Sequence, residues 1–221
     1  MLSAGLNGRR RMTTNLMAAI ALVCVLFSAF TAMQATPQAS RSPEELVQAL
    51  SEFPAAIPAN GVPSPIERRR SEVYDRLWSL GPTAVPALCR GLGDPDVQVR
   101  RNVALFLGAA GSDWYDRGRP RLAITPCAPA LIEALQDSDG RVRELAAQAV
   151  PATGGAAASA VPTLIRLLGS SSEGDRNTAC IALAGIGPAA KEALPALTKA
   201  LSDPSANVRS FAKRAIERIE R

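Results

Sequence analysis

The stretch AVPALCRGLGDPDVQVR, from Ala84 to Arg100, returns almost unchanged as ALPALTKALSDPSANVR, from Ala193 to Arg209. Two further segments align to this pair without gaps: CAPALIEALQDSDGRVR from Cys127 to Arg143, and AVPTLIRLLGSSSEGDR from Ala160 to Arg176. Their prolines, Pro86, Pro129, Pro162 and Pro195, fall at steps of 43, 33 and 33, and Arg100, Arg143, Arg176 and Arg209 keep the same steps. A fixed period of this length marks a stacked array and constrains the fold more than any local propensity.

Inside a unit, Val85, Leu88, Cys89 and Leu92 stand at helical spacing, as do Leu194, Leu197, Thr198 and Leu201 in the last unit. This is helix A, with its proline in the first turn, where a missing N–H costs little. The turns Asp94-Pro95-Asp96 and Asp203-Pro204-Ser205 predict an acidic N-cap with proline at the first position of helix B, and Ser170 with Glu173 predicts a capping box. Helix B then carries Val99, Val103, Phe106, Leu107 and Ala110 on one stripe and stops at Gly111, with Gly154 and Gly187 as the equivalent stops. A hairpin of roughly 30 residues cannot bury such a stripe alone, so neighbours must stack.

The expected fold is all-α: a solenoid of stacked antiparallel helical hairpins over residues 43–221, plus one N-terminal hydrophobic helix. Its units fall at about 81–111, 124–154, 156–187 and 188–221, with an insert at 112–123. A degenerate first unit covers 43–80, with Pro43 to Phe53 as helix A and Ile66 to Leu80 as helix B; Arg70, Val73 and Leu77 take the places of Arg100, Val103 and Leu107. Aromatics are only 4% of a chain rich in alanine, which suits close helix approach. The last helix surrounds Phe211, Ala215, Ile216 and Ile219 with Lys213, Arg214, Glu217 and Arg218, a polar cap that stops further stacking.

The pattern A-x-P-x-L…L-x-D-P-D-x-x-V-R…G, over about Leu77 to Arg221, resembles HEAT-like repeats, particularly the short ones of phycobilisome lyase subunits and many bacterial HEAT-repeat proteins. The resemblance implies a right-handed solenoid with helix B on the concave side. It also implies a structural ladder in which Arg70, Arg100, Arg143, Arg176 and Arg209 pair with Asp94, Asp137 and Asp203 to brace adjacent units, weakened where Ser170 replaces aspartate. It raises one enzymatic alternative, a lyase-like subunit acting in bilin attachment to a partner protein.

Leu16 to Met33 is free of charge and follows Arg9, Arg10 and Arg11. Residues 1–33 therefore read as a transmembrane anchor or a signal peptide, and 34–42 as a polar tether. The arginines predict a cytoplasmic N-terminus. The C-terminal body is then expected outside the cytoplasm, single-pass on the cell membrane, or secreted or periplasmic if the segment is cleaved.

The remaining 22 basic and 20 acidic residues leave the body near neutral, without the basic face of a nucleic-acid binder. The chain has no histidine, no CxxC pair and no glycine-rich phosphate loop, so no catalytic residue, cofactor or metal site is expected. Cys89, Cys127 and Cys180 each align with repeat positions held by small or apolar residues, and buried free thiols are expected there rather than bridging ones.

Two surfaces remain for a protein partner. The insert places Trp114 and Tyr115 beside Arg117, Arg119 and Arg121, residue types that anchor binding hot spots; the other reading is aromatics covering a gap between units. The outward columns of helix B carry Arg101, Glu144 and Asn177, then Leu105, Gln148 and Ile181, with Leu105 and Ile181 as exposed apolar points. The expected function is a non-catalytic scaffold for protein–protein interaction.

Overall fold

A computed structural model describes residues 41–54, 64–111 and 121–221. The apolar segment 16–33, nearly all of the tether and residues 112–120 of the insert lie outside the described residues. Among the described residues there are ten α-helices and no strand: α1 Pro43–Gln48, α2 Pro65–Leu80, α3 Val85–Gly91, α4 Val97–Ala110, α5 Ala128–Ala134, α6 Gly140–Ala149, α7 Val161–Leu168, α8 Glu173–Ile186, α9 Leu194–Ala200 and α10 Ala206–Ile219. Odd-numbered helices are helix A of successive pairs and even-numbered ones helix B. The A helices pack on one another (α1 on α3, α3 on α5, α7 on α9), and so do the B helices (α4 on α6, α6 on α8, α8 on α10). The molecule is an α-solenoid.

Local chemistry sets each boundary. Ser42 and Ser64 open α1 and α2 with capping boxes: each hydroxyl accepts the N–H of Glu45 or Glu67, whose carboxylate accepts the N–H of the serine. A short 3-10 segment leads into each later A helix, and Pro86, Pro129, Pro162 and Pro195 occupy the first turn, where no intrahelical donor is lost.

The start of helix B differs from expectation. The N-caps are Asp96, Asp139, Ser172 and Ser205, whose side chains accept from the N–H of Gln98, Val142, Asp175 and Val208. The residue two positions earlier does other work: Asp94, Asp137 and Asp203 accept the N–H of Asp96, Asp139 and Ser205 at 2.9, 2.8 and 2.9 Å, and Ser170 that of Ser172 at 3.1 Å. An aspartate or serine can close a local turn on the N–H two residues ahead, and here it does so. Pro95 and Pro204 therefore lie inside the turn rather than at the first helical position, and the box expected of Ser170 and Glu173 is a cap by Ser172.

The stops differ as well. Gly187 ends α8 at φ +69°, the region glycine favours, whereas Gly111 ends α4 at φ −92°. Gly111 is required by space instead, since a Cβ there would meet the Cβ of Ala152 at 2.4 Å. α6 ends at Ala149, before Gly154.

The core runs unbroken between the two layers. Leu88, Val99, Val103, Phe106 and Leu107 are buried in the first full pair, as are Leu131, Leu145, Leu164, Leu183, Leu197 and Ile219 along the rest. Each such leucine stabilises the stack by about 1.5–3 kcal/mol relative to exposure. One described stretch, Glu173–Ala200, is long and apolar enough to cross a membrane by length and composition, but Gly187 breaks it into α8 and α9 of the solenoid.

Candidate functional site

From α4 onward, helix B places its fourth residue, an arginine, over the turn that precedes it. Arg100 donates through one terminal nitrogen to the carbonyls of Asp94 and Pro95 at 2.8 and 3.1 Å, and through Nε and the other to both oxygens of Asp137 at 2.7 and 3.1 Å. It thus closes its own turn and grips the next. Arg143 repeats this with the carbonyls of Asp137 and Ser138 and the carboxylate of Asp175, at 2.9 and 3.1 Å to the latter. Arg176 does so with the carbonyls of Ser170 and Ser171 and with Asp203, at 2.7 and 3.0 Å. Such two-pronged charged pairs fix geometry as well as energy.

The third unit was expected to carry a weaker rung, and it does not. Asp175, in the first turn of α8, supplies the carboxylate that Ser170 lacks, and the Ser170 hydroxyl donates to it at 3.0 Å. At the ends the pattern changes. Arg209 keeps only the turn carbonyls of Asp203 and Pro204, Arg70 donates to the Pro54 carbonyl, and Asp94 accepts from Gln48 at 2.6 Å.

The charges respond. Burial pushes the Asp137 carboxyl up, and the Arg100 guanidinium together with the N–H of Asp139 more than offsets this, leaving it below the ordinary range. Asp203 is lowered by its bond from Arg176. Arg101 holds Asp139 down to about 2. Its Nε and one terminal nitrogen reach that carboxylate at 2.9 and 2.5 Å. Arg101, expected to face a partner, makes a second rung at the first full joint.

The outward helix-B columns are otherwise mixed. Glu144 pairs with Arg141 at 2.7 Å and accepts from Gln148, which is exposed. Ile181 is 41% exposed, as expected, but Leu105 is half-buried against the core. Asn177 is half-buried, with an Oδ1 that has no hydrogen-bond partner. Of the insert residues, Trp114, Tyr115, Arg117 and Arg119 lie outside the described residues, and Arg121 is exposed. The ends of the insert are joined by the Leu122 N–H bonding to the Ala110 carbonyl at 3.0 Å.

Two features escaped the sequence reading. Cys89 and Cys127 form a disulfide across the first full joint, with Cα atoms 4.8 Å apart; the expectation of free thiols holds for Cys180 alone. Burial pushes the Cys180 thiol up to about 11, which makes it inert. The other feature is Asn102, which is fully buried. Its amide donates to the carbonyls of Leu50, Phe53 and Gln98 at 3.1, 2.7 and 2.9 Å, and its Oδ1 accepts from the Tyr74 hydroxyl at 3.1 Å.

Beside the disulfide, between α3 and α5, lies an open groove of about 540 Å³. Among the described residues, no group of three or more Cys, Asp or Glu side chains is arranged to hold a metal ion.

This architecture defines a helical repeat scaffold, and a family model described as HEAT repeats matches residues 128–217. The chain is similar in structure to a designed armadillo repeat protein in complex with the peptide (KR)4, at 19% identity and a TM-score of 0.54, over 80% of this chain and 81% of that one. It is also similar to the complex of CpcE and CpcF of phycocyanin lyase from Nostoc sp. PCC7120, at 25% identity and a TM-score of 0.53, over 84% of this chain and 67% of that one. An engineered protein is a third neighbour, at 23% identity and 0.52, over 80% and 79%. No curated protein matches the chain in sequence.

Proposed function

We propose that this protein is a non-catalytic scaffold for protein–protein interaction, held on the outer side of a membrane or released there. The observation that carries the reading is how the polar groups are used. Arg100, Arg101, Arg143 and Arg176 each close a joint against a carboxylate, so the charged groups brace the stack rather than converge on a reaction centre. An extended, braced surface is what helical arrays use to hold other proteins. The Cys89–Cys127 disulfide supports a location in an oxidising compartment, in agreement with the apolar segment at 16–33.

The insert residues Trp114, Tyr115 and Arg119 are the proposed anchors, with Ile181, Gln148 and Asn177 on the helix-B face as a second contact. Expression of the full chain in a bacterium, followed by fractionation and external protease, should find the body outside the cytoplasm; a cytoplasmic body would end the export reading. Replacing Trp114, Tyr115 and Arg119 together with alanine should abolish capture of the partner that the unchanged protein retains from envelope extracts. Undiminished capture would remove the insert from the site. A second reading, a subunit acting in bilin attachment, is favoured by the likeness to the phycocyanin lyase complex. It requires a change in bilin absorbance on mixing with the protein, and the disulfide weighs against it.

A further inference from the structure

The two sulfurs of the disulfide have unequal surroundings. Cys127, the N-cap residue of α5, is fully buried, whereas Cys89, on the last part of α3, is half-buried and lines the open groove together with Arg90, Asp94, Arg100, Glu133 and Asp137. A thiol entering from solvent therefore reaches one sulfur and not the other. The joint also has a reserve. Both Arg100–Asp137 and Arg101–Asp139 cross it, where a single charged pair of this kind crosses each of the next two joints among the described residues.

We propose that Cys89–Cys127 is a one-sided thiol-exchange clasp: a small thiolate attacks Sγ of Cys89 through the groove, and α3 is released from the following pair while the B helices stay joined. In the first step the incoming sulfur bonds to Cys89 and the S–S bond breaks. Cys127 leaves with the bonding electrons and is protonated to a thiol, which has an acceptor in the Val85 carbonyl oxygen 3.7 Å away. A second thiolate then attacks the added sulfur, freeing the Cys89 thiol, so two small thiols are oxidised to one disulfide and the protein gains two S–H groups. Among the groove's charged residues, three carboxylates outnumber two guanidiniums. A cationic thiol such as cysteamine is thus admitted faster than the anionic glutathione, by a few-fold at low salt.

The test uses the full chain, purified without reductant, and maps thiol adducts by mass spectrometry after native incubation with cysteamine, 2-mercaptoethanol or glutathione. Mixed disulfide is expected on Cys89 at least about ten times faster than on Cys127, following the difference in access. Hydrogen exchange should quicken across α3 on opening and stay slow in α4 and α6. Two variants guard against misfolding as the explanation. C127S should keep its helicity and leave Cys89 reactive to a thiol reagent, whereas C89S should leave Cys127 unreactive until the protein is denatured. Adducts on Cys127, exchange only after denaturation, or Cys89 and Cys127 both found as free thiols in the purified protein would overturn the proposal. Unchanged exchange rates in α3 would remove its mechanical part.

Discussion

The joint between the α1–α2 pair and the α3–α4 pair is held by different chemistry from the three joints that follow it. At the opening joint one buried amide, Asn102, ties the segment that follows α1 to α4, and Tyr74 and Trp78 of α2 pack on Phe106 with ring centroids 5.2 and 5.6 Å apart. At the later joints an arginine grips a carboxylate of the next turn or of the helix that follows it, and small residues such as Ala104, Ala147 and Cys180 let the B helices approach. A repeated rule serves where both neighbours carry the motif. At the opening joint Asp94 accepts from Gln48 and Arg70 donates to the Pro54 carbonyl, and neutral hydrogen bonds and bulky rings hold the two pairs together.

The largest expected effect lies at the opening joint. N102A removes an amide whose two N–H groups are shared among three carbonyls, and one accepted bond, in a fully buried place, and leaves the Leu50 and Phe53 carbonyls without that donor; it should cost about 3 kcal/mol in urea unfolding. A loss below about 1 kcal/mol would mean that the rings alone hold the joint. D175A comes next. It strips Arg143 of its carboxylate at a position only 12% exposed and should cost about 2 kcal/mol. No loss would show that the turn carbonyls are enough for the later joints, and the contrast between the two kinds of joint would disappear.

What the sequence disclosed follows the same division. The period, the helix pairs and the inward stripe were all legible because Pro86, Leu88 and Arg100 have counterparts in every later unit, and register exposes them. Asn102 has no such counterparts, and a lone asparagine in an apolar stripe has no period to reveal its role. Asp175 was missed because the alignment put Ser170 in the aspartate column, while the arginine needs a carboxylate in space rather than in a column. The disulfide was hidden by comparing each cysteine only with its own column. The column of Cys89 holds Ile132 and Ile165, that of Cys127 holds Ala160 and Ala193, and stacking brings the first column of one unit against the second column of the next. One large and one small residue, both replaced by cysteine at the same joint, was the available signal. Whether the insert residues form a binding site had no comparable signal, because a single non-repeated loop is silent about what it touches.

The smallest effect is the response to acid, and it separates the two regions. Asp137, Asp139 and Asp203, all at later joints, have carboxyls below the ordinary range. A carboxylate whose pKa is depressed on folding stabilises fully above its unfolded value, near pH 4, and loses this as pH falls through the folded value, which for Asp139 is about 2. The amide of Asn102 does not titrate, and the Arg69–Glu52 and Arg90–Glu44 pairs beside it are more than half exposed and contribute little. Lowering the pH from about 5 to about 2 should therefore loosen α6, α8 and α10 before the opening joint. In a W114F background, Trp78 emission reports the opening joint and far-UV circular dichroism the whole stack. Helicity should begin to fall at a higher pH than the Trp78 signal changes. Simultaneous loss would mean that the solenoid unfolds as one cooperative unit, in which the chemistry of a joint sets total stability but not the order of opening.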